Sequence, residues 1–282
     1  MQMGYMTWGM PTVPIATAIA TIARLGFQAM ELTVLPNYTA ALERLDAPAR
    51  GEVCRLLDAH GLELPAIAAH FGLLAPAGPG ATTQMANLRA SVELAVDLAR
   101  HGATPCIDTT AGARPEDWAA VRGRLVERTG ELCRYAQRHG VTIAIEPHVH
   151  SCLDRPARVL WLLAQVGVPN LRLNLDISHF DVQGLDIDAV CLALGPFTAH
   201  THVKDQRGRA PNFEFLIPGE GTFDCARFLR AMRGVGYTGA ITAEISIMVQ
   251  RRPDYDPFDA AAQTYRWLRA AFQSAGEPVP DP

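Results

Sequence analysis

The chain has 282 residues, with 25 Lys and Arg against 29 Asp and Glu, which gives a formal net charge of −4 with histidines neutral. That balance speaks against a nucleic-acid or anionic-membrane partner held mainly by charge. With 49% hydrophobic and 19% charged residues the chain can fill a large core, which excludes disorder as its main state.

Taken in chain order, short β-rich runs alternate with longer segments of helical period. A strand at 3–8 precedes a helix at 13–25, and the pairs 29–34 with 40–60, 62–69 with 83–101 and 104–109 with 116–139 follow. The second half repeats the pattern at 142–146 with 155–166, 171–176 with 186–194, 199–203 with 224–235 and 240–245 with 257–274. Gly26, Gly61, Gly102, Gly140, Gly167 and Gly236 each follow a helical run, where a left-handed residue closes the helix. Eight such units predict a single (β/α)8 TIM barrel over residues 1–275, with a flexible tail at 276–282. The first turn, Trp8-Gly9-Met10-Pro11, is not the glycine-rich phosphate turn of an open dinucleotide-binding sheet. Residues 206–221 form the longest inserted loop.

The six cysteines are spread singly, with no CxxC pair, and read as small buried hydrophobes of a reducing compartment. The N-terminus has no basic, then apolar, leader pattern, and no stretch reaches the ~18 apolar residues of a membrane span. A cytoplasmic protein with no membrane partner is expected. Lys204 is the only lysine among the basic residues.

In such a barrel the working groups stand at the C-terminal strand ends, where the βα loops meet. Four consecutive strands end in possible ligands: Glu146 in IAIEPH, Asp176 in LNLDISHF, His202 in HTHVKD and Glu244 in ITAEIS. One acid at a strand end is ordinarily a cap or a hydrogen-bonded group. Three carboxylates converging on one mouth repel one another unless a divalent cation joins them. Oxygen donors with one imidazole and no thiolate suit Mn²⁺, Mg²⁺ or Co²⁺ better than a structural zinc.

Those motifs, with IPGEGTFD and GYTGAITAEIS, make the chain resemble the sugar phosphate isomerase/epimerase superfamily of xylose isomerase-like barrels. The resemblance is strongest over 143–247. It implies that Glu146, Asp176, His202 and Glu244 bind one divalent metal ion, Mn²⁺ foremost, and that the substrate is a small sugar or cyclitol. It also implies proton abstraction next to a carbonyl through a metal-stabilised enediolate, with Glu146 and Glu244 as base and acid, and a homo-oligomer. Return of the proton to the opposite face gives epimerisation, and to the neighbouring carbon, isomerisation.

Further residues are candidates on position. His148 follows Glu146 by two and is an additional base, while His179 lies three beyond Asp176 and can reach a substrate oxygen. Arg207 stands in the loop above the mouth to hold a hydroxyl or an anion, and His70 ends the third strand. Trp8, with Tyr5 and Phe71, offers an apolar wall for a sugar ring; for each of these a packing or surface role is the plain alternative. Lys204 and Asp205 are expected to pair locally, and Glu220 in the PGEG turn is expected to be structural.

Ketose 3-epimerases of this superfamily usually carry a glutamate where this chain has Cys152, and no lysine cluster or glycine-rich nest marks a phosphate site. Lyases of the same scaffold, such as inosose and dehydroshikimate dehydratases and 3-keto C-glycoside deglycosylase subunits, share the first chemical step. His148 as base is the feature that fits them. An endonuclease IV type of enzyme is disfavoured by the acidic balance and by the missing Asp-x-His pair after the seventh strand. A non-catalytic binding barrel is the remaining alternative.

Overall fold

The computed structural model describes residues 1–74 and 79–279. Among the described residues ten strands form: β1 Gln2–Met6, β2 Ala29–Thr33, β3 Glu63–Ala68, β4 Cys106–Thr110, β5 Ile143–Glu146, β6 Leu171–Asp176, β7 Thr198–Val203, β8 Asp205–Arg209, β9 Asn212–Leu216 and β10 Ala240–Ala243. The helices are α1 Ile15–Leu25, α2 Ala47–His60, α3 Pro79–Asp97, α4 Trp118–Arg138, α5 Pro156–Val166, α6 Ser178–Asp181, α7 Ile187–Leu194, α8 Cys225–Gly234, α9 Ile247–Gln250 and α10 Pro257–Ala275. Eight parallel strands close in the order β1-β10-β7-β6-β5-β4-β3-β2, so the predicted (β/α)8 TIM barrel is the fold.

The strands read as apolar runs because both their faces are covered, one by the helices and one by the barrel interior. All five residues of β2 and all four of β5 are buried. The helices turn one stripe inward: α1 buries Ala18, Ile19 and Ile22 against the barrel, each large side chain contributing roughly 1.5–3 kcal/mol. Gly26 closes α1 at φ 104°, its N–H donating to the carbonyls of Ala23 and Ile22. Inside the barrel the filling departs from branched aliphatics. Small residues Ala66, Cys106 and Ala144 cluster there, while Glu31, Asp108, Asn174, His200, His202 and Thr242 are buried polar groups. Gly4 belongs to this interior: a Cβ on it would lie 2.6 Å from Thr242 Oγ1.

Several boundaries differ from the sequence reading. β1 stops at Met6, and Trp8 falls in a 3-10 turn at Thr7–Gly9. α2 starts at Ala47 because the Asp46 side chain caps it from Ala49 N and Pro48 stands in the first turn. α3 ends at Asp97, and His101 and Gly102 form a tight turn closed by the Arg100–Ala103 bridge.

The inserted segment 206–221 is not a plain loop: β8 and β9 form an antiparallel hairpin, Asp205 facing Leu216 and Arg209 facing Asn212 across the Ala210-Pro211 turn. Gly208 and Pro211 interrupt the alternation that marks a strand pair in sequence. Asp205 does not pair with Lys204. Its carboxylate accepts the backbone N–H groups of Gln206, Gly219, Gly221 and Phe223 at 2.8–3.0 Å and thereby folds the IPGEGTFD segment.

All six cysteines are free, and all but the half-buried Cys54 are buried. Of the tail, Glu277 is tied to Arg233 at 3.0 Å and to the amino terminus at 3.5 Å, while residues 280–282 lie outside the described residues. No helix among the described residues is long and apolar enough to cross a membrane.

Candidate metal centre and active site

The C-terminal strand ends surround a cavity of about 350 Å³, within the range of small-ligand sites. Glu146 closes β5, Asp176 closes β6, His202 is the penultimate residue of β7 and Glu244 follows β10 directly. The register sets Asp176 beside His202, while Thr242 pairs with His202 and Glu244 lies two residues further along the same face of its strand. One ligand atom from each of Glu146, Asp176, His202 and Glu244 lies within 4.8 Å of all the others, and all four residues are buried.

Atoms that share one cation at about 2.1 Å stand roughly 3–4 Å apart, so this set fits a divalent ion with small adjustments. The donor chemistry agrees: three carboxylates and one imidazole, with no thiolate. In the protein alone, Lys204 bridges Asp176 and Glu244, its Nζ 2.7 Å from Glu244 Oε2. One ammonium offsets only part of the charge of three carboxylates in a buried site.

His202 turns Nδ1 to Glu146 Oε1 at 3.2 Å and Glu244 Oε2 at 3.0 Å. Asp176 is held by the Ser178 backbone N–H and hydroxyl on Oδ1, which leaves Oδ2 to Lys204 and to His179 Nε2 at 3.3 Å. Burial pushes the Glu146 carboxyl up to about 7, against the lowering influence of His202 and His70. Burial would raise Glu244 too, but Lys204 and His202 outweigh it and hold that carboxyl well below the usual range. Two carboxyls on one imidazole are thus driven apart, an arrangement suited to an acid and a base.

Around this centre the wall is aromatic and imidazole-rich. His148, His179, His70 and Trp8 all line the cavity, together with Thr110, Ser151 and Phe215. His70 Nε2 lies 2.5 Å from Asp108 Oδ2, and Trp8 packs against the His70 ring at 5.4 Å between centroids, tilted by 43°. Burial alone would lower the His70 pKa, yet the Asp108 carboxylate lifts it to about 9. The rings of His148 and His179 are 3.8 Å apart, centroid to centroid. His148 Nδ1 accepts the backbone N–H of His150 at 3.0 Å, so neutral His148 carries its proton on Nε2. Burial, with Lys204 nearby, holds His148 in that neutral form at a pKa of about 3.

Arg207 is not brought to the cavity. It lies on the exposed side of the hairpin, its side chain 60% exposed, paired with Glu214 at 3.4 Å and donating to the Glu220 carbonyl. The β8–β9 pairing turns it there, and no arginine lines the cavity among the described residues. Tyr5 is fully buried against Phe27, and Phe71 packs on the core, so of the three expected wall aromatics only Trp8 reaches the cavity. Glu220 is structural, accepting the Ile217 N–H and pairing with Arg252 at 2.8 Å.

Sequence reasoning missed Lys204, Asp108, Glu31 and His200. A signal for Lys204 was present: in HTHVKD, His200, His202 and Lys204 alternate and so share one face. Glu31 and Asp108 are charges inside otherwise apolar strand runs.

The fold is that of a (β/α)8 barrel with a buried donor set at its mouth, and residues 19–271 match the family model described as xylose isomerase-like TIM barrel. The chain belongs to that family. It is 30% identical over 169 residues to fructoselysine 3-epimerase of Shigella flexneri, a match covering 57% of this chain and 60% of the relative. A hydroxypyruvate isomerase-like protein of Streptomyces coelicolor is 24% identical over 285 residues, with 93% of each chain covered. Among solved structures, the IOLI protein with a bound zinc atom superposes with a TM-score of 0.78 at 16% identity, over 98% of both chains. This chain therefore spans less than two thirds of the Shigella flexneri epimerase.

Proposed function

We propose that the protein is a divalent-metal-dependent isomerase or epimerase of a neutral sugar or cyclitol that carries a carbonyl next to a carbinol. The observation that carries this reading is the convergence of Glu146, Asp176, His202 and Glu244 on one buried point, from which Glu146 and Glu244 also line the cavity. Mn²⁺ is the metal we assign, with Mg²⁺ or Co²⁺ able to replace it. When bound, the cation supplies Lewis-acid stabilisation of the negative charge that develops on substrate oxygens. Glu146 and Glu244 act as a base and acid pair: the ionised one takes the proton from the carbon next to the carbonyl, the protonated one returns one to the opposite face or to the neighbouring carbon, and the pair regains its starting protonation from water. His70, held charged by Asp108, and the Nε2–H of His148 donate to substrate hydroxyls. Trp8 and Phe215 cover the ring's apolar faces. With Lys204 already engaged by two carboxylates and no arginine lining the cavity among the described residues, the site suits an uncharged substrate better than a phosphorylated one.

Incubation with Mn²⁺ and a panel of ketoses, inososes and 3-keto glycosides in D₂O tests the reading. Deuterium should enter the carbon beside the carbonyl of one panel member, and Glu146→Gln and Glu244→Gln should each abolish that exchange while the circular dichroism stays that of the wild type. Near-normal turnover in either variant would rule out the two-carboxylate mechanism. A lyase is the second reading, because elimination begins with the same deprotonation and His148 stands at the cavity wall; release of a dehydrated product would mark it.

A further inference from the structure

A buried acid below the metal centre has no part in the chemistry just described. Glu31, on β2, is fully buried inside the barrel, and its Oε2 lies 2.5 Å from His202 Nε2 and 3.1 Å from His200 Nε2. His202 is on β7, 171 positions away in sequence, so the contact exists only because the barrel closes. We infer that Glu31 is a positioning residue that fixes which nitrogen of His202 faces the metal centre; this rests on the metal-dependent reading above.

The geometry divides the two ring nitrogens cleanly. Nδ1 faces Glu146 and Glu244 at 3.2 and 3.0 Å, on the side of the cavity, and Nε2 faces Glu31. A carboxylate accepts a hydrogen bond and cannot donate one, so Nε2 donates to Glu31, and Nδ1, turned to Glu146 and Glu244, is the nitrogen that a cation at the centre would take in place of its proton. A ligand imidazole that gives its other N–H to a carboxylate is held in orientation and made a stronger donor. Two more contacts stiffen the unit. His200 fixes the same Glu31 oxygen, and Asn174 Nδ2 sits 3.0 Å from Nδ1 and 3.3 Å from Nε2, against the His202 ring. Rotation of the ring would turn carbon to Glu31 and leave its buried carboxylate with the His200 contact alone.

Glu31, His200 and His202 also have ligand atoms within 4.8 Å of one another, so a second cation on Nε2 is the competing reading. Both ring nitrogens point at a single carboxylate oxygen at hydrogen-bond distance, which is the arrangement of an acceptor between two donors.

The test is Mn²⁺ titration of metal-free wild type and Glu31→Gln by calorimetry, with visible spectra of the Co²⁺-loaded proteins. Gln keeps the size of the side chain but loses its charge. The expected results are one Mn²⁺ per chain in both proteins, a Kd roughly 10- to 100-fold higher in the variant, and an altered Co²⁺ absorption envelope. A Kd within twofold of wild type with an unchanged spectrum overturns the inference and leaves the metal reading standing. Two equivalents in wild type falling to one in Glu31→Gln also overturns it, by making Glu31 a ligand. Wild type that binds no Mn²⁺ overturns both. Should Glu31→Gln not fold, His200→Gln loosens the same carboxylate while leaving it in place. Its Kd is then expected to rise more than twofold, and an unchanged Kd overturns the inference.

Discussion

Lys204 Nζ lies 2.7 Å from Glu244 Oε2 and also bonds Asp176, so the chain's single lysine bridges two of the four residues assigned to the metal. The ammonium is itself buried, at 3% exposure. Removing one member of a buried charge network leaves the others uncompensated, at about 3–5 kcal/mol. Lys204→Met is therefore expected to melt on the order of 10 °C below wild type in the absence of metal. Mn²⁺ bound at the proposed site would replace the missing positive charge, so it should raise the melting temperature of the variant more than that of wild type. Scanning fluorimetry of both proteins with and without Mn²⁺ checks this, and equal melting temperatures without metal would contradict it.

His148 separates the two proposed chemistries. Its Nδ1 is occupied by the His150 backbone N–H, so the neutral ring offers the cavity a donor and not a free lone pair. A base is what elimination asks of it. In an isomerase His148→Ala loses one substrate hydrogen bond of about 1–1.5 kcal/mol, or roughly tenfold in kcat/KM. Steady-state kinetics on the substrate found in the D₂O panel reads the difference. Complete loss of turnover would favour the lyase.

The repeated strand, helix and glycine pattern made the barrel legible, because each unit carries its own periodicity and stop signal. Glu146, Asp176, His202 and Glu244 were legible as a group for a related reason: in a parallel barrel the strand end fixes the height of a side chain, and the end of a run can be read locally. Glu31 was not, since its partner is 171 positions away and nothing in AMELT distinguishes a buried acid from a strand that is exposed on one face. Arg207 was misplaced because the hairpin that carries it is set by the distant Asp205 contacts to Gly219, Gly221 and Phe223. The Trp8 expectation reached the right cavity from a strand two residues too long.

The barrel interior leaves no room beside Gly4. A Cβ there would stand 2.6 Å from Thr242 Oγ1 and 3.3 Å from the Thr242 backbone Cα, and β10 cannot retreat because it pairs with both β1 and β7. Gly4→Ala is expected to lower stability by about 1–3 kcal/mol through overpacking. Thr242 also neighbours His202 across the β10–β7 register, so the shift should weaken Mn²⁺ binding as well. Urea denaturation and metal titration of the variant measure the two effects, and a stability equal to wild type would show that the strands yield more easily than their register implies.

Asp205 gathers four backbone N–H groups on two oxygens: Oδ1 takes Gln206 and Phe223 at 2.9 and 3.0 Å, and Oδ2 takes Gly219 and Gly221 at 2.9 and 2.8 Å. It is 1% exposed, so water cannot take its place without opening the segment. Gly221 fits this arrangement because a Cβ there would lie 2.3 Å from Asp205 Oδ1. Asp205→Asn is the informative change. An amide has one acceptor oxygen, so two of the four donors meet an NH₂ group that can only donate, and the isosteric variant is expected to lose about 3 kcal/mol, no less than Asp205→Ala. Asp205 also opens the hairpin, facing Leu216 next to the cavity-lining Phe215. The loosened hairpin should therefore raise KM, while kcat, which the proposed mechanism assigns to Glu146 and Glu244 on other strands, should change little. Urea denaturation gives the first number and steady-state kinetics the second; a stability within 0.5 kcal/mol of wild type in Asp205→Asn would mean that the segment folds on contacts other than this carboxylate.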